Sequence, residues 1–373
     1  MKIAVIRKNM SSIGGAENYL GLLIKGLMRK GCFVELICAK PPRKKIAGVE
    51  VHIAQSSGFL SVMKDKSFAK NAEICAKTGN YDVVISLERT SYQDIYRAGD
   101  GCHIQWLKYK QQINKSFKLL QNLNPLNKHL LAIEKKLYDG TTHIIANSQM
   151  VKQEIQQHYK TPDSSITTVY NGIDLKKYHP EKRQIIAQSL DDTLIIHQNT
   201  HIFLFVGNGQ VRKGLKEALL ALKLLNTRIE GNFKFLVLGK DACELDPLVK
   251  KLNLTMQVRF IGEVDDPSPY LHAADMMLFP THYDPCSNAC LEAMAAGAVV
   301  LTTKRNGMSE LLNDYHNGYV VESPFDTEAI FERLKHWIQN QNKQKMIKQS
   351  LATIADYSIE KNVEQTLNVI DAL

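Results

Sequence analysis

Three stretches near the start, Lys2-Ile3-Ala4-Val5-Ile6, Gly14-Gly15-Ala16-Glu17-Asn18-Tyr19-Leu20-Gly21-Leu22-Leu23-Ile24-Lys25-Gly26-Leu27-Met28-Arg29-Lys30-Gly31 and Phe33-Val34-Glu35-Leu36-Ile37-Cys38-Ala39, decide the fold. The first is a strand rich in β-branched residues. The second places Leu20, Leu23, Ile24, Leu27 and Met28 on one helical face and stops at Gly31. The third is again a strand, so the unit is βαβ and the fold is α/β with a parallel sheet. Outward from it, strands are expected at Tyr81–Leu87, His143–Asn147 and Val169–Tyr170, the last followed by an Asn171-Gly172 turn. After Tyr178-His179-Pro180 the chain turns polar up to about Gln198, as a linker does. A second series then begins, with strands at Ile202–Val206, Phe233–Leu238, Gln257–Ile261, Asp275–Phe279 and Val299–Thr303, each ahead of a helix. Amphipathic helices close the chain at Thr327–Gln339, Lys343–Ala355 and Ile359–Leu373. A chain of 373 residues exceeds what one core usually supports, so two domains are expected, 1–180 and 181–355, with 356–373 as a further helix.

With 44% hydrophobic and 23% charged residues, the composition is that of a globular protein. No apolar run reaches the roughly 18 residues that span a bilayer. The apolar start is too short for a secretory signal, and a cytoplasmic location is expected. Cys32, Cys38, Cys75, Cys102, Cys243, Cys286 and Cys290 show no zinc-ligand spacing and read as reduced thiols. Cys286 lies near a helix start and is also a candidate nucleophile. The formal charge of +9 is unevenly spread. Residues 1–180 carry 27 Lys and Arg against 14 acids, whereas residues 181–373 carry 20 against 24. The basic half suits an anionic partner: a membrane surface, a phosphorylated glycan or a nucleic acid.

The chemistry concentrates in Pro280-Thr281-His282-Tyr283-Asp284-Pro285-Cys286-Ser287-Asn288-Ala289-Cys290-Leu291-Glu292-Ala293-Met294-Ala295-Ala296-Gly297. It reads as strand end, loop and a helix capped by Ser287 or Asn288 and closed by Gly297. The first amides of that helix have no internal partner, and its dipole adds positive charge, so an anion can sit there. Asp284 and Glu292 bracket the anion site and can take hydroxyl donors from one ligand with phosphate in its middle; a nucleotide sugar has that layout. The same residues also read as an ordinary α/β unit with Asp284 as turn former and Glu292 as a solvated helix residue.

A second loop, Gly207-Asn208-Gly209-Gln210-Val211-Arg212-Lys213-Gly214, sets two cations at a strand C-terminus, where open α/β sheets bind ligands. Its spacing fits neither a dinucleotide fingerprint nor a P-loop, and the first βαβ unit lacks the fingerprint too. Gly14-Gly15 permits close approach of a ligand at the first helix. Within Tyr96-Arg97-Ala98-Gly99-Asp100-Gly101-Cys102-His103, Asp100 and His103 are candidate bases. Residues 106–138 interleave Trp106, Tyr109 and Phe117 with Lys108, Lys110, Lys115, Lys118, Lys128, Lys135 and Lys136, and Pro41-Pro42-Arg43-Lys44-Lys45 is a second basic stretch. The longer one fits a surface helix on anionic lipid, a domain-packing helix or a nucleic-acid face, the last without any binding motif.

As a set, Gly14-Gly15-Ala16-Glu17, Asn147-Ser148, Asn171-Gly172-Ile173-Asp174, Val206-Gly207-Asn208-Gly209 with Arg212-Lys213-Gly214, the Asp284–Glu292 stretch and Gly307-Met308-Ser309-Glu310 resemble the family 4 glycosyltransferases of the GT-B fold. That fold implies two Rossmann-like domains facing across a deep cleft. The acceptor would bind the first domain and the nucleotide sugar the second, with 356–373 packing back on the first. By the resemblance Glu292 holds ribose hydroxyls, and Asp284 holds the donor sugar. Cys286, Ser287 and Asn288 hold phosphate or sugar, and Arg212 and Lys213 neutralise the diphosphate. Gly15 admits the phosphate, and the backbone around Ile261 and Glu263 receives the base. The chain departs from the family pattern with Asp, a shorter arm of the same charge, where Glu is usual at 284. No D-x-D triplet occurs, so no metal or other cofactor is expected. The resemblance implies a retaining transfer by front-face attack, with Asp100 or the leaving phosphate taking the acceptor proton. Within the family the chain looks most similar to bacterial lipopolysaccharide core glucosyltransferases, on its length, on Ala98-Gly99-Asp100-Gly101-Cys102 and on its basic first half. The expected partners are then a UDP-sugar, an anionic glycolipid acceptor and the inner-membrane surface, with no nucleic acid. A catalytically silent nucleotide-sugar or glycolipid binding protein of the same fold is the alternative, motivated by Asp284.

Overall fold

The computed structural model describes residues 1–10, 14–42, 45–114, 117, 121, 123–182, 200–229 and 232–373. The polar stretch expected as a linker falls largely at 183–198, outside the described residues, as do Arg43, Lys44, Lys115 and Lys118 of the basic stretches. The chain forms two compact units, Met1–Gly172 with Ile359–Leu373, and Ile173–Ser358. The boundary therefore falls at Gly172 rather than at residue 180, and the chain returns to the first unit at Ile359.

In the first unit β1 (Lys2–Ile6), β2 (Phe33–Cys38), β3 (Glu50–Ile53), β4 (Val83–Ser86), β5 (Ile95–Ala98), β6 (His143–Ala146) and β7 (Ile166–Thr168) form a parallel sheet in the order β3-β2-β1-β4-β5-β6-β7. Its helices include α1 (Gly15–Arg29), α2 (Ser61–Thr78), α3 (His103–Ile113), α4 (Pro125–Gly140) and α5 (Gln149–Tyr159). Strands covered on both faces must be apolar throughout, and Ile3, Ala4, Val5 and Ile6 are fully buried. The last helix, Ile359–Asp371, packs on α1. Gly26 makes room for it, because a Cβ there would stand 2.4 Å from Val363 Cγ2. Beneath that contact lies a buried polar network. Arg97 Nη2 donates to Asn171 Oδ1 at 2.5 Å, and its guanidinium lies over the Tyr19 ring. Tyr19 donates to Asn362 Oδ1, whose Nδ2 donates to the Tyr170 carbonyl.

The second unit contains β8 (His201–Val206), β9 (Phe233–Leu238), β10 (Val258–Gly262), β11 (Met276–Phe279), β12 (Val299–Thr303) and β13 (Tyr319–Val321), parallel and in the order β10-β9-β8-β11-β12-β13. Its helices include α6 (Gln210–Lys213), α7 (Leu215–Arg228), α8 (Asp246–Lys251), α9 (Ser268–Ala273), α10 (Asn288–Ala295), α11 (Thr327–Gln339) and α12 (Lys343–Ile354). Strand order reverses between β1 and β4 in the first sheet and between β8 and β11 in the second. Neighbouring loops diverge at such a switch point, opening a crevice at the strands' C-terminal ends. The loops after β8 and β11 are the two that the sequence singled out.

Several expectations are corrected. Val169–Tyr170 is not a strand; β7 ends at Thr168, although the Val169 amide still reaches the Ala146 carbonyl. The strand expected at Tyr81–Leu87 is shortened to Val83–Ser86. Residues 106–138 are not one surface helix: 106–113 belong to α3 and 125–138 to α4, and α3 has no fully buried residue. No helix among the described residues is long and apolar enough to cross a membrane.

Candidate functional site

The loop after β8 is shaped by glycine. Gly207, Gly209 and Gly214 have φ of 145°, 77° and 78°, the left-handed region open to glycine at least cost. At Gly207 a Cβ would stand 2.1 Å from Lys213 Nζ, so the missing side chain gives the lysine its place. At Gly214 a Cβ would meet the Pro280 carbonyl oxygen at 1.9 Å, so the two loops touch backbone to backbone. They are laced further: the Arg212 carbonyl accepts from the His282 amide at 2.8 Å and from Thr281 Oγ1 at 2.9 Å, while Arg212 Nη1 donates to the Tyr283 carbonyl at 2.7 Å.

The charges follow from this lacing. Arg212 Nη1 lies 3.5 Å from Asp284 Oδ2, and Asp284 is buried. The Lys213 ammonium lies 5.2 Å from the centre of the Phe279 ring. Burial, with Arg212 adding to it, pulls the Lys213 pKa down, while Asp284 and Glu292 oppose that shift. Ser287 caps α10, its Oγ accepting from the Cys290 amide. Burial raises the Glu292 carboxyl to about 7, against Lys177 and the Tyr178 hydroxyl, which favour its charged form. Glu292 is therefore not the solvated helix residue of the alternative reading. Behind it, Lys177 pairs with Asp266 at 3.0 Å and Tyr178 stacks on His272.

The second unit thus brings Arg212, Lys213, Asp284, Cys286, Ser287, Asn288 and Glu292 to the β8 and β11 switch point. Ile261 and Glu263 stand at the C-terminal end of β10, an edge strand whose register shifts between Phe260 and Gly262. The Ser287 amide, expected to meet phosphate, instead donates to Asn306 Oδ1 at 3.2 Å. Asn306 is one residue that sequence reading passed over, as are Tyr178, Lys177, Asp266 and the buried pair His282 and Glu217, 3.0 Å apart. For Asn306 the available signal was an Asn-Gly pair two residues beyond an apolar strand. Cys286 and Cys290 are buried and form no disulfide, and burial, before any other cause, raises the Cys290 thiol far above the ordinary thiol range, which leaves it unreactive.

In the first unit Gly15 is the first residue of α1, after Gly14 as N-cap. A Cβ on Gly14 would stand 2.5 Å from Glu17 Oε2, so Glu17 folds back over this helix start. Asp100 occupies the turn after β5, with Oδ2 3.8 Å from Arg7 Nη1 and 3.9 Å from Arg89 Nη1. Arg89 is itself held by Glu134 at 2.8 Å, and Glu88 faces Arg7. His103 hydrogen-bonds Asn127, and burial, with Arg89 nearby, lowers its pKa. Among the described residues, the grouping of His and acids close enough for a cation is Glu35, Glu50 and His52. It lies on β2 and β3, with the Lys2 ammonium 2.9 Å from Glu35, well away from the strand ends described above.

The family description "Glycosyl transferases group 1" matches residues 188–352, and "Glycosyltransferase Family 4" matches residues 13–177. The chain is similar to the lipopolysaccharide glucosyltransferase WaaG of Escherichia coli, 26% identical over 289 residues that cover 74% of this chain and 75% of that protein. The crystal structure of WaaG, a glycosyltransferase involved in lipopolysaccharide biosynthesis, superposes with a TM-score of 0.85 at 20% identity, covering 99% of both chains. A Campylobacter jejuni N-acetylgalactosamine-N,N'-diacetylbacillosaminyl-diphospho-undecaprenol 4-alpha-N-acetylgalactosaminyltransferase is 28% identical over 353 residues, 92% of each chain. Anabaena Alr3699/HepE, solved in complex with UDP and glucose, superposes with a TM-score of 0.78 at 17% identity over all of both chains.

Proposed function

Since the chain belongs to the family 4 glycosyltransferases, with the GT-B fold, we propose that it moves a hexose, glucose in the first instance, from a UDP-sugar to a lipopolysaccharide core or related glycolipid. In this reading the transfer retains anomeric configuration and needs no metal ion. The observation that carries it is the lacing of the two switch-point loops, which sets Arg212 and Lys213 beside Asp284 at the start of α10. Breaking the bond between the sugar and the diphosphate builds negative charge on the leaving group. Two fixed cations and a helix start stabilise that charge without reorganising. Glu292 takes the ribose hydroxyls, Asp284 those of the sugar, and Ile261 and Glu263 flank the base. The acceptor oxygen bonds to the anomeric carbon as the phosphate oxygen leaves, and the acceptor proton passes to that phosphate or to Asp100. Related proteins named for lipopolysaccharide and for a diphospho-undecaprenol-linked sugar support a lipid-borne acceptor.

The decisive experiment is thermal stabilisation by UDP in the presence of EDTA. The melting temperature should rise in the wild type, stay flat in Glu292→Ala and rise less in Lys213→Ala; no shift with any nucleoside diphosphate would sink the proposal. Turnover with a panel of UDP-hexoses and purified core lipid separates an enzyme from a silent binding protein of the same fold.

Peripheral contact with the inner membrane is part of the same proposal. It is supported by α3, where Trp106, Lys108, Tyr109 and Lys110 lie on a helix with no fully buried residue. Co-sedimentation with anionic liposomes should fall steeply between about 0.05 and 0.5 M salt, over which the screening length shrinks from about 14 to about 4 Å; salt-independent sedimentation would contradict it.

A further inference from the structure

Among the polar groups that the proposed reaction leaves unused, Asn306 has the most complete set of contacts. It is fully buried, and its amide is engaged at both ends. Oδ1 accepts from the Ser287 amide at 3.2 Å and from the Met308 amide at 3.3 Å. Nδ2 donates to Thr302 Oγ1 at 3.1 Å and lies 3.7 Å from Cys290 Sγ. One side chain therefore joins the end of β12, the cap of α10 and the turn that follows. A primary amide has the two lone pairs and two N–H groups to do this; glutamine carries an extra methylene for which a fully buried site has no room.

The backbone around Asn306 grips Asp284 in turn. The Asp284 amide donates to the Arg305 carbonyl at 2.9 Å, and the Gly307 amide donates to the Asp284 carbonyl at 2.9 Å. Residues 284 and 306 form a parallel bridge. Both backbone groups of Asp284 are thus fixed by the turn that Asn306 pins, so the turn sets the direction in which its carboxylate leaves the chain. Glu292 is held differently, by the helix it belongs to. Its carbonyl accepts from the Ala296 amide at 3.0 Å within that helix, and the turn reaches it only indirectly, through the helix start at Ser287 and Cys290.

We propose that Asn306 is the positioning residue that fixes Asp284 and thereby sets which donor sugar the second unit prefers. The proposal rests on the nucleotide-sugar reading above, in which Asp284 meets the sugar and Glu292 the ribose. A displacement of about 1 Å at a positioned group is enough to cost a large factor, and relaxing the 305–307 turn displaces Asp284, which it holds at both backbone groups, more than Glu292, which it reaches only through the start of α10.

The test measures dissociation constants of the full chain by calorimetry for UDP, UDP-glucose, UDP-galactose and UDP-N-acetylglucosamine. In Asn306→Ala the spread of affinities among the three UDP-sugars should shrink at least fivefold while the UDP constant moves less than twofold. Asn306→Asp, which keeps the acceptor for both amides, should retain a spread within threefold of the wild type. An unchanged spread in Asn306→Ala, or UDP weakened by the same factor as the UDP-sugars, overturns the proposal. Should Asn306→Ala fail to fold, Thr302→Val removes one partner of Nδ2 and should narrow the spread about threefold; an unchanged spread there overturns it equally. A wild type that binds UDP but holds all three sugars alike also overturns it. A wild type that binds no UDP defeats the transferase reading instead.

Discussion

Lys213→Met is expected to lower the turnover of sugar transfer by about 100- to 1000-fold, the usual cost of removing one preorganised group that meets charge developing in a transition state. The lysine is tightly placed. Its ammonium stands where a Cβ of residue 207 would be and over the Phe279 ring, beside Asp284. Burial lowers its pKa, so in the resting protein the charge is held at a cost that an incoming diphosphate offsets. Methionine keeps the length and the apolar stem, so folding should survive, and UDP affinity should fall by about tenfold, less than turnover does. Single-turnover rates with a UDP-sugar check this. Weakened UDP binding with an unchanged saturating single-turnover rate would place Lys213 in ground-state binding alone. Lys213→Arg should not restore activity, because the bulkier guanidinium has to fit beside Gly207 and the ring.

Glu292→Gln is expected to stabilise the protein while weakening UDP. The carboxyl is raised from an ordinary 4.5 to about 7, by burial before all else. A carboxyl with a raised native pKa favours folding most at low pH, and that contribution is lost as pH rises from about 4.5 through about 7. Above pH 7.5 the native state therefore carries an ionised Glu292 at a cost of about 2 to 3 kcal/mol. Denaturant melts at pH 8 should show Glu292→Gln ahead by that amount, with the gap closing toward pH 4.5. UDP binding should run the other way. Only the carboxylate accepts two ribose hydroxyls fully, so wild-type affinity should rise at least fivefold from pH 6 to pH 8 beyond any change seen in Glu292→Gln. The variant supplies the correction for titration of UDP itself. Identical pH profiles for the two proteins would remove Glu292 from the ribose site.

Where sequence reading succeeded, the physics was local. β1, β8, β11 and β12 are short, mostly apolar runs because a parallel sheet covered on both faces leaves few polar positions. The glycines at 207, 209 and 214 announced a loop that only glycine follows easily. It failed where a residue's meaning depends on distant partners. β5 went unrecognised because Tyr96-Arg97 looks polar, yet Arg97 is buried with Asn171 and the Tyr19 ring as its partners. β3, with Glu50 and His52 within its four residues, has a composition that periodicity does not flag. Asn306 gains its importance from Ser287 and Cys290, more than a dozen positions earlier. Glu292 was placed correctly on its helix, but burial raises its pKa, and the groups that oppose that shift, Lys177 and Tyr178, stand on a segment more than a hundred residues upstream.

The first unit is built from both ends of the numbered chain, with Asn362 and Val363 of the last helix closing over α1. During synthesis that has a consequence for timing. When Gly172 leaves the ribosome, α1 still exposes the apolar face that Val363 will cover, and all of Ile173–Ser358 must be translated before the cover arrives. At about 5 to 20 residues per second this interval lasts roughly ten to forty seconds. The second unit is contiguous and can fold within it. The nascent first unit is thus the species with most need of a chaperone.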